Sequence, residues 1–237
     1  MSKPFVFKQF TVHQDHCAMK IGTDGVLLGA WTSLKGMPDS ILDIGAGTGV
    51  IALMLAQRSG ASSIEGIEID EAAYEQCVDN FENSPWGDRL FCYHAGLDEL
   101  TEDIEEQYDL IVSNPPFYSE IVSSGNDSRD MARQNRSLPF EELILGVSQL
   151  LAENGSFSTI IPYKEEDTFL QLARQSNLFP KRITRVKGNL QSDIKRSLLE
   201  LQFGETEAAV NQLIIEEGRH RYTPEYIDLT KDYYLKM

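Results

Sequence analysis

Asp43-Ile44-Gly45-Ala46-Gly47-Thr48-Gly49 decides the fold of this chain. Ser40 to Ile44, ahead of it, is a short apolar run that reads as a buried strand, and Val50 to Gln57, behind it, has helical periodicity. Glycines between a strand and a helix let the backbone turn sharply and come close to a ligand, and the helix start offers free N–H groups. Several nucleotide-binding folds share such a turn, and so does a strand-to-helix connection with no ligand, so its meaning rests on the neighbouring segments.

Working outward, apolar runs and helical stretches alternate. Ser63 to Ile67, Leu90 to Tyr93, Leu110 to Ser113 and Ser156 to Ile161 read as further strands. Glu71 to Phe81, Pro139 to Leu151 and Glu165 to Ser176 read as helices, the first with Asp70 as its N-cap. This alternation predicts an α/β protein with a mostly parallel sheet covered by helices on both faces. Arg182 to Val186 and Ser197 to Phe203 are expected to close the sheet as an antiparallel pair, and Ser119 to Arg136 to form a long surface loop.

Two further segments carry chemistry. Ile67-Glu68-Ile69-Asp70 ends the second strand about twenty residues after the glycine turn, where an acid can accept both hydroxyls of a ribose. Glu68 has the right phase for that role, and Asp70 that of a helix cap. Asn114-Pro115-Pro116-Phe117 directly follows the fourth strand and should open into the same crevice. Its prolines stiffen the backbone and remove N–H donors, leaving the Asn114 side-chain oxygen and the Pro115 carbonyl as acceptors. Two such acceptors suit a conjugated NH₂ group, whose lone pair they help to localise on nitrogen, while Phe117 can stack on the planar ring.

The spacing D-x-G-x-G-x-G, with the N-P-P-F turn, resembles the class I S-adenosylmethionine (SAM)-dependent amino-methyltransferases, a group that includes adenine N6, cytosine N4 and glutamine N5 enzymes. Charge agrees, because Asp43 would repel a pyrophosphate and favour a cation. Phe7-Lys8-Gln9-Phe10, the stretch Cys17 to Trp31, Tyr222-Thr223-Pro224-Glu225-Tyr226 and Asp232-Tyr233-Tyr234-Leu235 look like the bacterial valine-tRNA (adenine-37 N6) methyltransferases. The resemblance implies a Rossmann-like seven-stranded sheet with a C-terminal antiparallel pair. It also implies one methyltransferase domain over 1–237, in which 1–39 contributes to the cofactor site, 40–205 is the core and 206–237 an extension.

By the same resemblance SAM is the cofactor and an anticodon-loop adenine of tRNA the substrate. Lys20, Thr23 and Asp24 would line the methionine end of SAM beside Asp43, Gly45, Ala46 and Gly47. Glu68 and Ile69 would hold its ribose side. After the third strand, where such enzymes often carry an acid for the adenine, this chain has Gly96, so backbone contacts from Gly96 or Leu97 are expected there. Thr23 or Asp24 equally suits the cap of a helix whose apolar face is Leu27, Leu28, Ala30 and Trp31. Arg129, Arg133 and Arg136 are placed to meet phosphates near a flipped adenine, or simply to pair with Asp127 and Asp130 in a solvated loop.

The formal net charge is -16 over 237 residues, an unusual balance for a chain that holds a polyanion. The charge is uneven, however: Arg89 is the one Lys or Arg between Glu65 and Asp109, whereas Lys181, Arg182, Arg185, Lys187, Lys195 and Arg196 face only Asp193 along the chain. A local basic RNA-binding patch is expected there, with binding that weakens steeply in salt. Cys17, Cys77 and Cys92 form no C-x-x-C pair and read as ordinary thiols, and no metal site is expected. With no long apolar run and no secretion signal, a cytoplasmic monomer is expected. A protein-glutamine N5 methyltransferase and a non-catalytic SAM-binding RNA module are the rival readings.

Overall fold

The computed structural model describes residues 3–17, 19–103, 107–116 and 138–236. Its centre is a sheet built from β3 (Ser40–Ile44), β4 (Ser63–Ile67), β5 (Leu90–Tyr93), β6 (Tyr108–Ser113) and β7 (Leu151–Pro162), all parallel. The antiparallel strand β9 (Ile194–Phe203) lies beside β7, and β8 (Leu178–Asn189) lies beyond it. Those strands are the expected seven. Among the described residues the sheet has nine, in the order β11-β10-β8-β9-β7-β6-β3-β4-β5, because β10 (Ala209–Gly218) pairs parallel with β8, and β11 (Arg221–Tyr222) folds back on β10. The segment expected to be a C-terminal extension thus adds two strands to the sheet.

Helices cover both faces, as the buried strands demand. Alternation along β3 sends Ile41 to one face, packed with α1 (Thr23–Trp31), α2 (Val50–Arg58) and Phe81 of α3 (Glu71–Glu82). It sends Leu42 and Ile44 to the other face, packed with Leu97 and Leu100 of α4 (Leu97–Asp103), α5 (Phe140–Leu150) and α6 (Glu166–Gln175). Asp70 caps α3 by accepting from the Ala73 N–H at 3.0 Å, as expected. For α1 neither Thr23 nor Asp24 is the cap: Gly22 is, without a side-chain bond, and Gly25 to Trp31 are buried on every side of the helix. The short strands β1 (Phe5–Val6) and β2 (Thr11–Val12) bring the N-terminal arm to the C-terminal end, where Phe7 bridges Tyr234 next to α7 (Pro224–Thr230).

Gly49 shows how tightly the glycine turn is seated. Its φ is +75°, and a Cβ there would lie 2.5 Å from a Phe81 ring carbon and 2.9 Å from the Cys77 sulfur. Gly49→Ala is expected to cost roughly 2–4 kcal/mol, from backbone strain and overpacking together, measured by denaturant unfolding. Gly45 is the contrasting case, with φ +73° but open space where a Cβ would sit.

Candidate functional site

Three neighbouring strands end in register. Ile67 of β4 pairs with Ile44 of β3, and Ile44 pairs with Ser113 of β6. The residues that follow, Glu68, Gly45 and Asn114, therefore stand side by side at the carboxyl edge, about 10 Å from first to last at ordinary strand spacing. The buried Ser113 hydroxyl donates to the Ile44 carbonyl at 2.9 Å and ties two of these ends together. From β3 the chain continues outward through β4 and β5 and later in the opposite direction through β6 and β7, so this is the point where an open sheet forms its ligand crevice.

The glycine turn is held from β4. Gly45 and Ala46 both donate to the Ile67 carbonyl at 3.0 Å, and Gly47 donates to Glu68 Oε2 at 2.9 Å. The other Glu68 oxygen accepts from the Asp70 N–H at 2.9 Å. Each carboxylate oxygen thus keeps a further lone pair for a hydroxyl donor. Ile69 is exposed beside it.

Asp43 lies on the α2 face of β3 and is fully buried. Neither of its side-chain oxygens makes a hydrogen bond of normal geometry, although the Ala52 N–H near the start of α2 lies close enough to favour its charge. Burial pushes its pKa up to about 7, Glu68 adds to the rise, and the Ala52 N–H opposes it. A nearby cation would relieve this orphaned carboxylate.

The N-terminal segment closes over the turn through two α3 side chains that the sequence pattern did not mark. Asn80 donates to the carbonyls of His13 and Thr48, both at 2.9 Å, and its own oxygen accepts from the His13 N–H. Gln76 accepts from the His16 N–H at 3.3 Å. Both side chains are buried, and periodicity alone cannot tell a buried amide from a solvated one. Cys17 is thereby brought near Glu68 and Asp70; burial first and those acids next push its thiol up to about 11.

Lys20 folds back onto the carbonyls of Gln14 and Cys17, closing its own loop. Thr23 is the first residue of α1. Asp24, expected to face an amino group of the cofactor, forms an ion pair with Arg196 at 2.8 Å. On the far side of the turn, Gly96 precedes α4, and the Leu97 side chain is buried against Gly146, which leaves only backbone groups for a ligand at these two positions.

On β6's side, Pro115 is buried and Asn114 and Pro116 are half-buried. Phe117, Arg129, Arg133 and Arg136 lie outside the described residues, as does the predicted loop from Ser119 to Arg136.

The expected basic strip on β8 and β9 is a correction. Arg182 stacks over the Trp31 ring at 3.7 Å and pairs with buried Glu200 at 2.8 Å, on the α1 face, and Lys181 adds a longer contact to Glu200. Arg185 pairs with buried Glu166 of α6 at 2.7 Å, on the opposite face. With Arg196 bound to Asp24, four cations are matched by acids and are divided between two faces of the sheet. Lys187, which donates to the Leu190 carbonyl, and exposed Lys195 flank the β8–β9 turn. The physical reason is that acids arrive from other strands and helices, while the two-residue period of a strand sends Arg182 and Arg185 to opposite sides.

The chain is similar to known methyltransferases. Residues 22–163 match the family model described as methyltransferase small domain. A Christiangramia forsetii protein named tRNA1(Val) (adenine(37)-N6)-methyltransferase is 59% identical over 238 residues, covering 100% of this chain and 99% of that protein. A Flavobacterium johnsoniae protein of the same name is 60% identical over 234 residues, covering 98% of this chain and 100% of that protein. Among solved structures, a predicted O-methyltransferase of Agrobacterium tumefaciens superposes with a TM-score of 0.67 at 20% identity, over 89% of this chain and 96% of that one. At such identity the last likeness speaks for the fold alone.

Proposed function

The chain belongs to the methyltransferase small domain family and to the tRNA1(Val) (adenine(37)-N6)-methyltransferases that match it at full length, and from that premise we propose that it methylates the N6 amine of adenine-37 in a valine tRNA, with SAM as methyl donor. The observation that supports the mechanism is the in-register ending of β4, β3 and β6, which leaves Glu68, the glycine turn and Asn114 side by side at the carboxyl edge of the sheet.

The residues present fit SAM. Open space over Gly45 admits a ligand against the backbone, the spare lone pairs of Glu68 suit ribose hydroxyls, and the orphaned oxygens of Asp43 suit the cationic methionine end. Bound SAM supplies an electrophilic methyl group on a sulfonium. The chain's own task is to aim a weak nucleophile. The Asn114 side-chain oxygen and the Pro115 carbonyl each accept one N–H of the target amine, which favours a tetrahedral nitrogen with its lone pair localised and free to attack. Pro115 and Pro116 keep that acceptor pair from relaxing. Phe117 is assigned to stack on the adenine and exclude water. Because the methylated amine is strongly acidic before it loses its proton, no general base is required.

Incubation with labelled SAM and unmodified tRNA, followed by nucleoside analysis, tests this. N6-methyladenosine at one anticodon-loop position is the expected product; label only in protein, or SAM binding without transfer, would overturn the assignment. Glu68→Gln is expected to weaken SAM binding by about 10- to 100-fold in calorimetry. It removes the charge and sets an NH₂ group against either the Gly47 or the Asp70 N–H, costing about 1–3 kcal/mol. A monomer working in the cytoplasm completes the proposal; no helix among the described residues is long and apolar enough to cross a membrane.

A further inference from the structure

Four of the six β8–β9 cations are matched by acids, so further RNA-binding charge is sought elsewhere on the same edge. Strand β10 runs parallel to β8, so it ends at Gly218 on the carboxyl side of the sheet, the side that carries Asn114. There the chain makes a tight turn, with His220 at φ +61°, that presents Arg219, His220 and Arg221 to solvent. His220 and Arg221 line one side of a double concavity, and exposed Arg219 precedes them in the turn.

The shallower part, about 650 Å³, is lined by His220, Arg221, Tyr222 and Lys236, with Glu217 and Ile227. The part next to it, about 380 Å³, shares Tyr222 and Lys236 and is walled by Phe5, Tyr226 and Tyr234, with Glu216 among its polar groups. Tyr222 and Tyr226 lie 5.2 Å apart between ring centroids, and Phe5 and Tyr234 lie 6.2 Å apart. Preset aromatic walls beside Arg, His and Lys form the combination that takes a stacked base and its phosphate. Acids are present too: Glu217 makes an exposed 3.6 Å contact with Arg221, and Glu216 can accept from the N–H edge of a base.

Resting on the function proposed above, we infer that this aromatic cavity holds an unpaired nucleobase of the same tRNA, away from the methylated adenine, with its phosphates against Arg219, Arg221 and Lys236. Four strand spacings separate β10 from β6 in the sheet order, roughly 20 Å along one edge, a span that a few unstacked nucleotides bridge. In a chain with net charge -16, such a local site confines RNA to one face.

The test compares wild type with Tyr222→Ala, Tyr222→Phe and Arg221→Glu, using methyl-transfer kinetics on unmodified tRNA and filter binding of that tRNA over a salt series. The Arg221 side chain is 75% exposed, so its reversal is expected to leave folding intact. Tyr222→Ala is expected to weaken tRNA binding and raise KM for tRNA about 5- to 100-fold with SAM affinity kept, whereas Tyr222→Phe keeps the ring and stays within about twofold. Arg221→Glu is expected to weaken binding and to flatten the slope of log K against log salt by about 0.7. If wild type transfers methyl groups to tRNA and all three variants match it in KM and in salt slope, the cavity has no such role, although the enzyme assignment stands. If wild type neither binds nor methylates tRNA, the enzyme assignment itself fails. Loss of tRNA and SAM affinity together in Tyr222→Ala, with Arg221→Glu unchanged, would mark a structural role and also overturn the inference.

Discussion

Asn114→Ala is expected to lower kcat for methyl transfer to tRNA by about 10²- to 10³-fold while leaving SAM affinity within about twofold. The residue follows Ser113, whose buried hydroxyl bonds to the Ile44 carbonyl, so the end of β6 is fixed whatever the side chain at 114. Glu68 and the glycine turn are tied to each other and not to Asn114, which is why cofactor binding should survive. What is removed is an acceptor whose hydrogen bond strengthens as the amine becomes tetrahedral, an interaction worth more in the transition state than in the ground state. Asn114→Asp keeps oxygen acceptors and is expected to retain part of the rate. Single-turnover kinetics with saturating tRNA reads the chemical step directly, and an Ala variant that turns over like wild type would refute the role assigned to this side chain.

The elements around that step were legible because they follow local rules. A run of apolar residues before glycines, an acid after the next strand and prolines after the fourth strand are each fixed by short-range chemistry, and β3 to β5 fall where those rules put them. What escaped was non-local. Counting charge along Lys181 to Arg196 could not show that Glu166 and Glu200 arrive from other elements to match it, nor that the strand period divides it between two faces. Strand β10 carries polar and exposed residues along much of its length, so its alternation is weak, and it is recruited by pairing with β8 more than by its own pattern. Asn80 and Gln76 sit on a helix whose composition reads as solvated, and only the arrival of the N-terminal segment makes them buried clamps.

Asp43 offers a second large effect, and one whose size depends on pH. Burial raises its pKa from 3.8 to about 7, so the ligand-free folded protein holds a proton there that the unfolded chain has already released. The folded state binds more protons across that window, and its stability therefore falls as pH climbs from about 4 to 7, by roughly 4 kcal/mol at most for a shift of this size. Asp43→Asn removes the titration while keeping the shape. The variant should match wild type near pH 4 and melt several degrees higher at pH 8, read by thermal unfolding without ligand. SAM binding should move the other way: a cationic group beside the ionised carboxylate gains from the charge, so wild-type affinity rises between pH 6 and 8, and the Asn variant loses about tenfold or more at pH 8 with little pH dependence left. Calorimetry at pH 6.5 in buffers of different ionisation enthalpy would register proton release on binding to wild type and none to Asp43→Asn. A wild type that binds SAM without releasing a proton, or an Asn variant less stable than wild type at pH 8, would show that this carboxylate is not held as a buried, cation-seeking acid.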